Sequence, residues 1–379
     1  EKHVAGRNGG TVLKKVERID KLFEALRVFL GILIAFLICI IIIVLISEEN
    51  PASAVFNFVV GPFMSKHRLG QVLAKYSSYL LSGLGMCFIY SAGRFNMAGE
   101  GAINLAPMPA LLLMFGTGFG LHVMAGLPQI VNLVIIVALC ALTGALILLV
   151  PAFGREQLGA NEMVTSTIMN YFCLYAALWL LKGNISDRSL SYLGTPVYPD
   201  NMRFTRYMDG SNFTSGIFVA LIGLAIALII YYRTPLGAKI HICGDSLQFA
   251  VYSGINTKKM IFLSQIIGGL FAGAAAAVEL FGLYNSYYLT TLTNVGMDGL
   301  LAAVMAKKKP IFVPLTAFVM AYIRCAAAVL NANTNIPIEL VTMLQAVIVL
   351  FVAAEEFLGK SRRKVIFRIS KEAKEQGDA

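Results

Sequence analysis

The sequence predicts an all-α polytopic membrane protein with about ten transmembrane helices, and three observations support this prediction. Hydrophobic residues make up 58% of the 379-residue chain and charged residues only 14%, whereas an ordinary soluble domain has roughly 25% charged residues. Uncharged runs of spanning length recur along the chain, and the longest covers residues 101–154. Such unbroken runs favour helices over a β-barrel, because barrel strands alternate lipid-facing and lumen-facing residues.

A helix needs roughly 20 apolar residues to cross a bilayer, and the individual spans follow from that length. The break between the third and fourth spans is expected at Gly126-Leu127-Pro128, where turn-forming residues interrupt the longest run. The predicted spans are 28–46, 72–92, 103–121, 130–150, 163–181, 214–232, 260–278, 296–306, 312–330 and 338–357. The sequence therefore predicts a transmembrane domain at 28–358 between basic tails at 1–27 and 359–379.

The distribution of Lys and Arg predicts the orientation of these spans. With ten spans, one side of the membrane holds 23 of the 31 basic residues and the other side holds seven, while Arg324 lies within a span. Basic residues concentrate on the cytoplasmic side of membrane proteins. Both tails are therefore predicted to be cytoplasmic and the loop 183–213 external. The net charge of +10 is interpreted as a topology signal and a contact with anionic lipids, not as a nucleic-acid site.

Two glycine-rich breaks at the edges of spans form the candidate functional region. Residues 93–101 read Gly-Arg-Phe-Asn-Met-Ala-Gly-Glu-Gly, and residues 294–299 read Asn-Val-Gly-Met-Asp-Gly. Each break precedes a span, the first running outward and the second inward, as expected for inverted repeats with broken helices around a transport path. An ordinary turn between spans is the alternative. The candidate pathway residues are Phe95, Asn96, Glu100, Asn294 and Asp298.

Glu100 has a second interpretation. Its carboxylate could pin the broken helix in place, for example by pairing with Arg94.

The chain shows little sign of catalytic or metal chemistry. Its six cysteines form no CxxC pair, and its four histidines are scattered along the sequence. A phosphate-binding loop ending at Gly359-Lys360-Ser361 would need an earlier glycine at position 354, where Ala354 stands instead. We therefore expect no metal site and no enzymatic activity on this chain.

The segment 233–259 is predicted to contain a short docking helix. Asp245 or Ser246 can cap its start, and Gly254 can end it after about two turns. Helical spacing would then place Phe249, Ala250 and Ser253 on one face, suited to a groove on a partner. A helix resting on the bilayer surface is the alternative, which the low charge of the segment disfavours.

Three segments resemble the permease subunits of bacterial ABC importers of the branched-chain amino acid, ribose and nucleoside type. They are the break at 93–101, the run Leu-Gly-Ala-Asn-Glu-Met-Val-Thr-Ser-Thr-Ile-Met-Asn-Tyr at 158–171, and the segment 234–255. The resemblance covers residues 28–358 and is closest to nucleoside, or simple-sugar, permeases. Two positions depart from it. Ala102 stands where the family favours Gln, and the turn from Lys307 to Pro310 is more basic than expected.

The resemblance implies a permease in the bacterial inner membrane that translocates a nucleoside, with a purine favoured, by alternating access. Its expected partners are ABC ATPase subunits, a second permease chain forming a heterodimer, and an extracytoplasmic substrate-binding lipoprotein. ATP and Mg²⁺ would be bound by the ATPase, and no cofactor is expected on this chain. The residues implied in coupling to the ATPase are Gly244, Asp245, Ser246, Phe249, Ala250, Ser253 and Gly254.

Three other functions remain open on the sequence. The permease could carry riboflavin or a simple sugar. The chain could be an ion-coupled secondary transporter with Glu100, Glu279, Asp298 and Arg324 as a relay, or a membrane scaffold. Co-purification with an ATPase would distinguish an ABC permease from a secondary transporter, because a secondary transporter needs no docking helix.

Overall fold

The computed structural model of the chain describes residues 51–116, 126–187, 189–208 and 210–333, with isolated positions at 33–44 and at Met124. The predicted tenth span and both tails lie outside the described residues, as does most of the first span. The chain divides into two units. One unit, Phe56–Asn335, contains nearly all the described residues, and the other combines Glu1–Val55 with Ile336–Ala379.

The described part of the chain is built from α-helices joined by short 3₁₀ and π segments, which confirms the all-α class. The α-helices are α1 Pro51–Val59, α2 Lys66–Ser91, α3 Gly99–Leu105, α4 Met108–Leu111, α5 Gln129–Leu158, α6 Glu162–Leu180, α7 Gly216–Arg233, α8 Pro235–Asp245, α9 Leu247–Tyr252, α10 Thr257–Val278, α11 Val295–Met305 and α12 Val313–Asn333. The 3₁₀ segments are Gly61–Phe63, Asp200–Met202 and Pro310–Phe312, and the π segments are Leu112–Gly116, Leu181–Ile185 and Glu279–Leu283.

Six of these helices are long and apolar enough to cross a membrane, namely α2, α5, α6, α7, α10 and α12. They correspond to the predicted second, fourth, fifth, sixth, seventh and ninth spans. The predicted third span is not one continuous helix over its described part. It breaks after Leu105 because Pro107 and Pro109 follow, and proline disrupts the backbone hydrogen bonds of a helix interior.

Glycine and alanine allow the central helices to pack backbone against backbone. A Cβ atom on Gly144 of α5 would lie 2.4 Å from the carbonyl oxygen of Gly269 in α10. One on Gly273 would lie 2.0 Å from the carbonyl oxygen of Cys140. Close approach through small residues is the usual packing device of membrane helices. Helices α2 and α10 are buried along most of their length, whereas α5, α6 and α7 are largely exposed.

The C-terminal ends of α2, α7 and α11 meet beside α8, and we call this end of the unit the α8 end. There, the hydroxyl groups of Ser91 and Tyr231 donate to the carbonyl oxygen of Lys308 over 3.1 and 3.0 Å. At the opposite end, which we call the loop end, the N–H of Tyr198 donates to the carbonyl oxygen of Asn285 over 2.8 Å. The first candidate break begins beside the α8 end, where Gly93 contacts Gly244.

Candidate functional site

The first break is a short non-helical segment, 93–98, between α2 and α3. Gly93 adopts the left-handed backbone conformation, with φ of 70°, that glycine favours at a helix end. The side chain of Asn96 then holds the segment from both sides. Its Oδ1 accepts from the N–H of Ala98 over 2.9 Å, and its Nδ2 donates to the Leu148 carbonyl and to Gln265 Oε1 over 3.0 and 2.8 Å. The break is therefore an ordered turn inside the unit.

Glu100 caps the helix that follows the second break. Its carboxylate accepts hydrogen bonds from the N–H groups of Asn294, Gly296 and Met297 over 2.6, 2.7 and 3.2 Å. It also accepts from the Thr293 hydroxyl over 3.0 Å. The side chain is buried, and these donors include the first free N–H groups of α11. An anion is stabilised at a helix N-terminus by those groups and by the helix dipole.

The two short helices α3 and α11 meet N-terminus to N-terminus. A Cβ atom on Gly296 would lie 2.4 Å from the backbone nitrogen of Glu100, so only glycine permits this contact. From this point α3 runs towards the loop end, where the carbonyl of Asn104 accepts from the Tyr287 hydroxyl over 3.2 Å. Helix α11 runs the other way, towards Lys308 at the α8 end. The two helices therefore point in opposite directions, the arrangement that the inverted pair of breaks predicts.

The run at 158–171 supplies the partner for the start of α3. Asn170 Oδ1 accepts from the N–H of Gly101 over 2.8 Å, and its Nδ2 donates to the carbonyl oxygen of Met97 over 3.1 Å. A Cβ atom on Gly101 would lie 2.9 Å from Asn170 Cα, so α6 and α3 are in backbone contact here. Two of the three segments that carry the family resemblance, 93–101 and 158–171, are therefore in direct contact.

A polar network extends from the first break towards the ends of α5 and α6. Gln265, which accepts from Asn96, donates to Glu162 Oε1 over 2.9 Å. Arg155 Nε lies 3.8 Å from Glu162 Oε2, and Arg94 pairs with Glu156. The suggested pairing of Arg94 with Glu100 is therefore wrong. Arg94 lies near the start of the turn at 93–98, beside the end of α5, whereas Glu100 follows the turn and faces α11.

Asp298 belongs to a separate group of charged side chains between α2, α10, α11 and α12. It accepts from the Tyr79 hydroxyl over 2.6 Å, and Arg324 Nε lies 3.8 Å from the same carboxylate oxygen. Lys75 pairs with Glu279 in this group. Two acids and two bases thus balance each other, as buried charges require. Glu100 bonds to α11 backbone groups instead, so the four residues of the secondary-transporter relay are not one hydrogen-bonded chain.

The predicted pathway residues differ in how much surface they offer to a substrate. The side chains of Asn96, Glu100 and Asp298 are buried and bonded within the protein. Phe95 is half-buried against Tyr90, with ring centroids 5.1 Å apart, and Asn294 is exposed. The structure therefore brings Asn96, Glu100 and Asn294 together around the two helix starts and leaves Asp298 in its own group.

Sequence reasoning missed an exposed face on α6. Thr167, Tyr171 and Tyr175 follow one another at intervals of four residues and are exposed. Thr167 Oγ1 lies 4.0 Å from the sulfur of Met97, next to the first break. The spacing of four residues on a predicted helix was the available signal. Ser166 and Asn170 on the same helix are polar but buried and hydrogen-bonded, so residue polarity alone did not indicate which face of α6 is exposed.

The short helix predicted in the segment 233–259 is present as α9. Ser246 caps it by accepting from the N–H of Phe249 over 3.3 Å, and Gly254 follows with φ of 74°. Asp245 pairs with His241 on the preceding helix α8, at 2.9 Å. Helix α9 presents an exposed apolar surface, which we call the α9 patch: Leu247, Phe249, Val251 and Tyr252.

Ala250 does not share the exposed face of Phe249 and Ser253, so the expectation of one common face was wrong. Its side chain is fully buried within this chain, whereas the other two are exposed. A helix of two turns resting on its own protein must turn one stripe inward, and adjacent positions differ by about 100° around the axis. Ala250 is on that inward stripe.

Six helices of spanning length and two short helices that meet at their N-termini between such helices are typical of a membrane protein of the transport type. The chain belongs to the family described as branched-chain amino acid transport system / permease component, which it matches over residues 68–353. It is a multi-pass membrane permease of the ABC importer class. Such permeases work in general with ATPase subunits and substrate-binding proteins.

The curated relatives are similar over most of their length. The chain is 26% identical to the guanosine ABC transporter permease protein NupP of Bacillus subtilis, over 85% of this chain and 92% of that protein. It is 24% identical to the nucleoside ABC transporter permease protein NupB of Lactococcus lactis, over 83% and 86%. It is 25% identical to the probable riboflavin import permease protein RfuC of Treponema pallidum, over 83% and 81%. No solved structure matches the chain.

Proposed function

We propose that this permease imports a nucleoside, with a purine nucleoside favoured, by alternating access driven by partner ATPases. The observation that supports this substrate best is the similarity to guanosine and nucleoside permeases over more than four fifths of the chain. The match to the riboflavin permease is more distant and covers less of that protein, 81% compared with 92% for NupP and 86% for NupB. Riboflavin or a simple sugar is therefore the second candidate substrate.

In this proposal the buried polar residues shape the path and the exposed ones meet the substrate. Asn96, Glu100 and Asp298 hold the short helices in place through their protein partners. Phe95, Asn294 and the exposed face of α6 offer aromatic rings and polar groups to a passing base or ribose. Aromatic stacking and a few hydrogen bonds would bind a nucleoside loosely enough to release it.

An uptake experiment tests the substrate. The permease is reconstituted in proteoliposomes with its second permease chain and ATPase, and with the binding protein supplied at the other face. We expect uptake of labelled guanosine that requires ATP and is competed by other purine nucleosides. Uptake of riboflavin or glucose in place of guanosine would assign the second candidate. Uptake that follows an ion gradient and needs no ATPase would instead identify a secondary transporter.

We propose that the ATPase docks on the α9 patch, because an exposed cluster of large apolar side chains marks an interaction surface. Phe249→Ala removes a ring that is 61% exposed and should reduce ATPase co-purification at least tenfold. Gln248→Ala, on the same exposed helix, is the matched control and should leave co-purification unchanged. Equal ATPase recovery with both variants would contradict docking on this patch.

We propose that both tails face the cytoplasm of a bacterial inner membrane and that the permease pairs with a second, different permease chain. The count of basic residues supports the orientation. A cysteine introduced by V197C, at a position that is 68% exposed, should react with an impermeant reagent in intact cells. One introduced by K374C should react only after permeabilisation. The opposite labelling pattern would invert the topology.

A further inference from the structure

Helix α8 touches the first break through two glycines. A Cβ atom on Gly244 would lie 1.9 Å from the carbonyl oxygen of Ser91 and 2.9 Å from the nitrogen of Gly93. Seen from the other side, a Cβ atom on Gly93 would lie 3.2 Å from Gly244 Cα. Gly244 is the penultimate residue of α8 and lies two residues before the Ser246 cap of α9. The backbone that leads into the α9 patch therefore rests directly on the backbone that leads into α3.

We propose that this glycine contact transmits movement of the docked helix α9 to the two short helices, which makes Gly93 and Gly244 positioning residues for transport. The inference rests on the proposed function, because it requires an ATPase that moves α9. A contact between backbones has no side chain that could change rotamer and absorb the movement. Packed interiors transmit displacement for this reason.

The connection continues from Gly93 without a flexible step. Five residues, 94–98, separate Gly93 from α3, and the Asn96 side chain fastens them to α5 and α10. Arg94 is paired with Glu156 in the same segment. At the start of α3, the Glu100 carboxylate holds the N-terminus of α11. A displacement at Gly244 thus reaches the starts of both short helices.

A second route leaves α8 through α7, and the experiment must distinguish the two. Gly237 of α8 packs on Tyr231, with a Cβ position 2.3 Å from its carbonyl oxygen, and the Tyr231 hydroxyl donates to Lys308. This route reaches the C-terminal end of α11 and, through the Ser91 hydroxyl that donates to the Tyr231 hydroxyl over 3.1 Å, the C-terminal end of α2. The Gly93 route reaches the N-terminal ends of α3 and α11, where the candidate pathway residues lie. We therefore assign coupling to Gly93 and Gly244, with Tyr231→Phe as the comparison variant.

The test uses the assembled transporter in nanodiscs, with T291C as a reporter. Thr291 is exposed and lies three residues before Asn294, the residue that immediately precedes α11. In the otherwise unchanged protein, ATP should alter the labelling rate at this position at least threefold. G244A should abolish that change and lower substrate uptake per ATP hydrolysed at least tenfold, while ATP hydrolysis continues. Y231F should keep both the change and the uptake ratio.

Gly154→Ala is the matched control, because it also lies near the end of a packed helix but its Cβ position has no neighbour nearer than 3.8 Å. It should behave as the parent protein. Two results would overturn the inference when the ATPase is bound and active. One is that ATP does not change the labelling rate of T291C in the parent protein. The other is that ATP still changes this rate in G244A. If G244A does not assemble, G93A replaces it with the same expected results, because its Cβ atom would press on the same contact at 3.2 Å from Gly244 Cα. Failure of any ATPase to bind the parent would overturn the proposed function, and this inference with it.

Discussion

Helices α3 and α11 open with similar sequences, Gly-Glu-Gly at 99–101 and Met-Asp-Gly at 297–299, yet the two acids act on different parts of the protein. Glu100 crosses to the other short helix and accepts its N-terminal N–H groups. Asp298 turns away from α3 and bonds to Tyr79, beside Arg324. At the start of α3, the N–H of Gly101 instead donates to Asn170 on a third helix, α6.

The comparison shows that a repeated sequence pattern need not repeat its interactions. Each short helix leaves N–H groups at its start, and inside a membrane protein those groups need a partner from elsewhere in the chain. For α11 that partner is a charged group, whereas for α3 it is a neutral amide. The junction of the two helices therefore depends more heavily on Glu100 than on Asp298 or Asn170. Substitutions at these three residues, together with one at Gly296, test this conclusion.

The largest effect is expected where the two backbones touch. Gly296→Ala places a methyl group 2.4 Å from the Glu100 nitrogen, and no flexible side chain can move aside. The helices must separate, which should destabilise the protein by about 3 kcal/mol or more. Fluorescence size-exclusion chromatography after heating should show a large loss of the folded peak. Gly154→Ala, whose Cβ position has only ordinary van der Waals neighbours at 3.8 Å or more, should match the parent. An equally small loss in both variants would show that the junction accommodates the methyl group.

Neutral substitutions of Glu100 and Asp298 should destabilise the protein to different extents, because the two carboxylates have different partners. Glu100→Gln leaves one amide oxygen for four donors and turns an NH₂ group towards backbone N–H groups, at a cost of about 2 kcal/mol. Asp298→Asn keeps an oxygen for the Tyr79 hydroxyl but removes the charge opposite Arg324, which is 3.8 Å away and a quarter exposed, so the cost should be about 1 kcal/mol. The thermal midpoint should therefore fall further for Glu100→Gln. A larger fall for Asp298→Asn would mean that the charged group around Arg324, and not the helix junction, limits stability.

The sequence was sufficient to predict the class, the six long helices and the position of both breaks. Hydropathy and glycine content act locally, so both interruptions could be located without a structure, although the second one ends at Asn294 and residues 295–299 already belong to α11. The helix α9 was also predictable, because Ser246 and Gly254 are local start and stop signals. The exposure of individual residues on it was not, since the burial of Ala250 depends on how α9 rests on α8 and α10.

Partners distant in the sequence could not be predicted from residue type. Glu100 sits between two glycines in an apolar stretch, which favoured a role in the path, but its partners are backbone groups almost 200 residues away. The same holds for the Gly93 contact with Gly244, because nothing in a glycine indicates which backbone will approach it. The separation of Glu100 from Arg94 depends on the direction of the turn at 93–98, which Asn96 determines through contacts with α5 and α10.

An effect smaller than that of Glu100→Gln is also expected at Asn170, which accepts from a single N–H group of α3. Asn170→Ala removes the acceptor for Gly101 and the donor to the Met97 carbonyl. Because both lost bonds are neutral, the cost should be about 1 kcal/mol, less than that of Glu100→Gln. Thr167→Ala on the exposed face of the same helix is the control and should not shift the thermal midpoint. If Asn170→Ala lowered that midpoint more than Glu100→Gln, the contact between α6 and α3 would be the main support of the junction, and the greater importance assigned to Glu100 would be wrong.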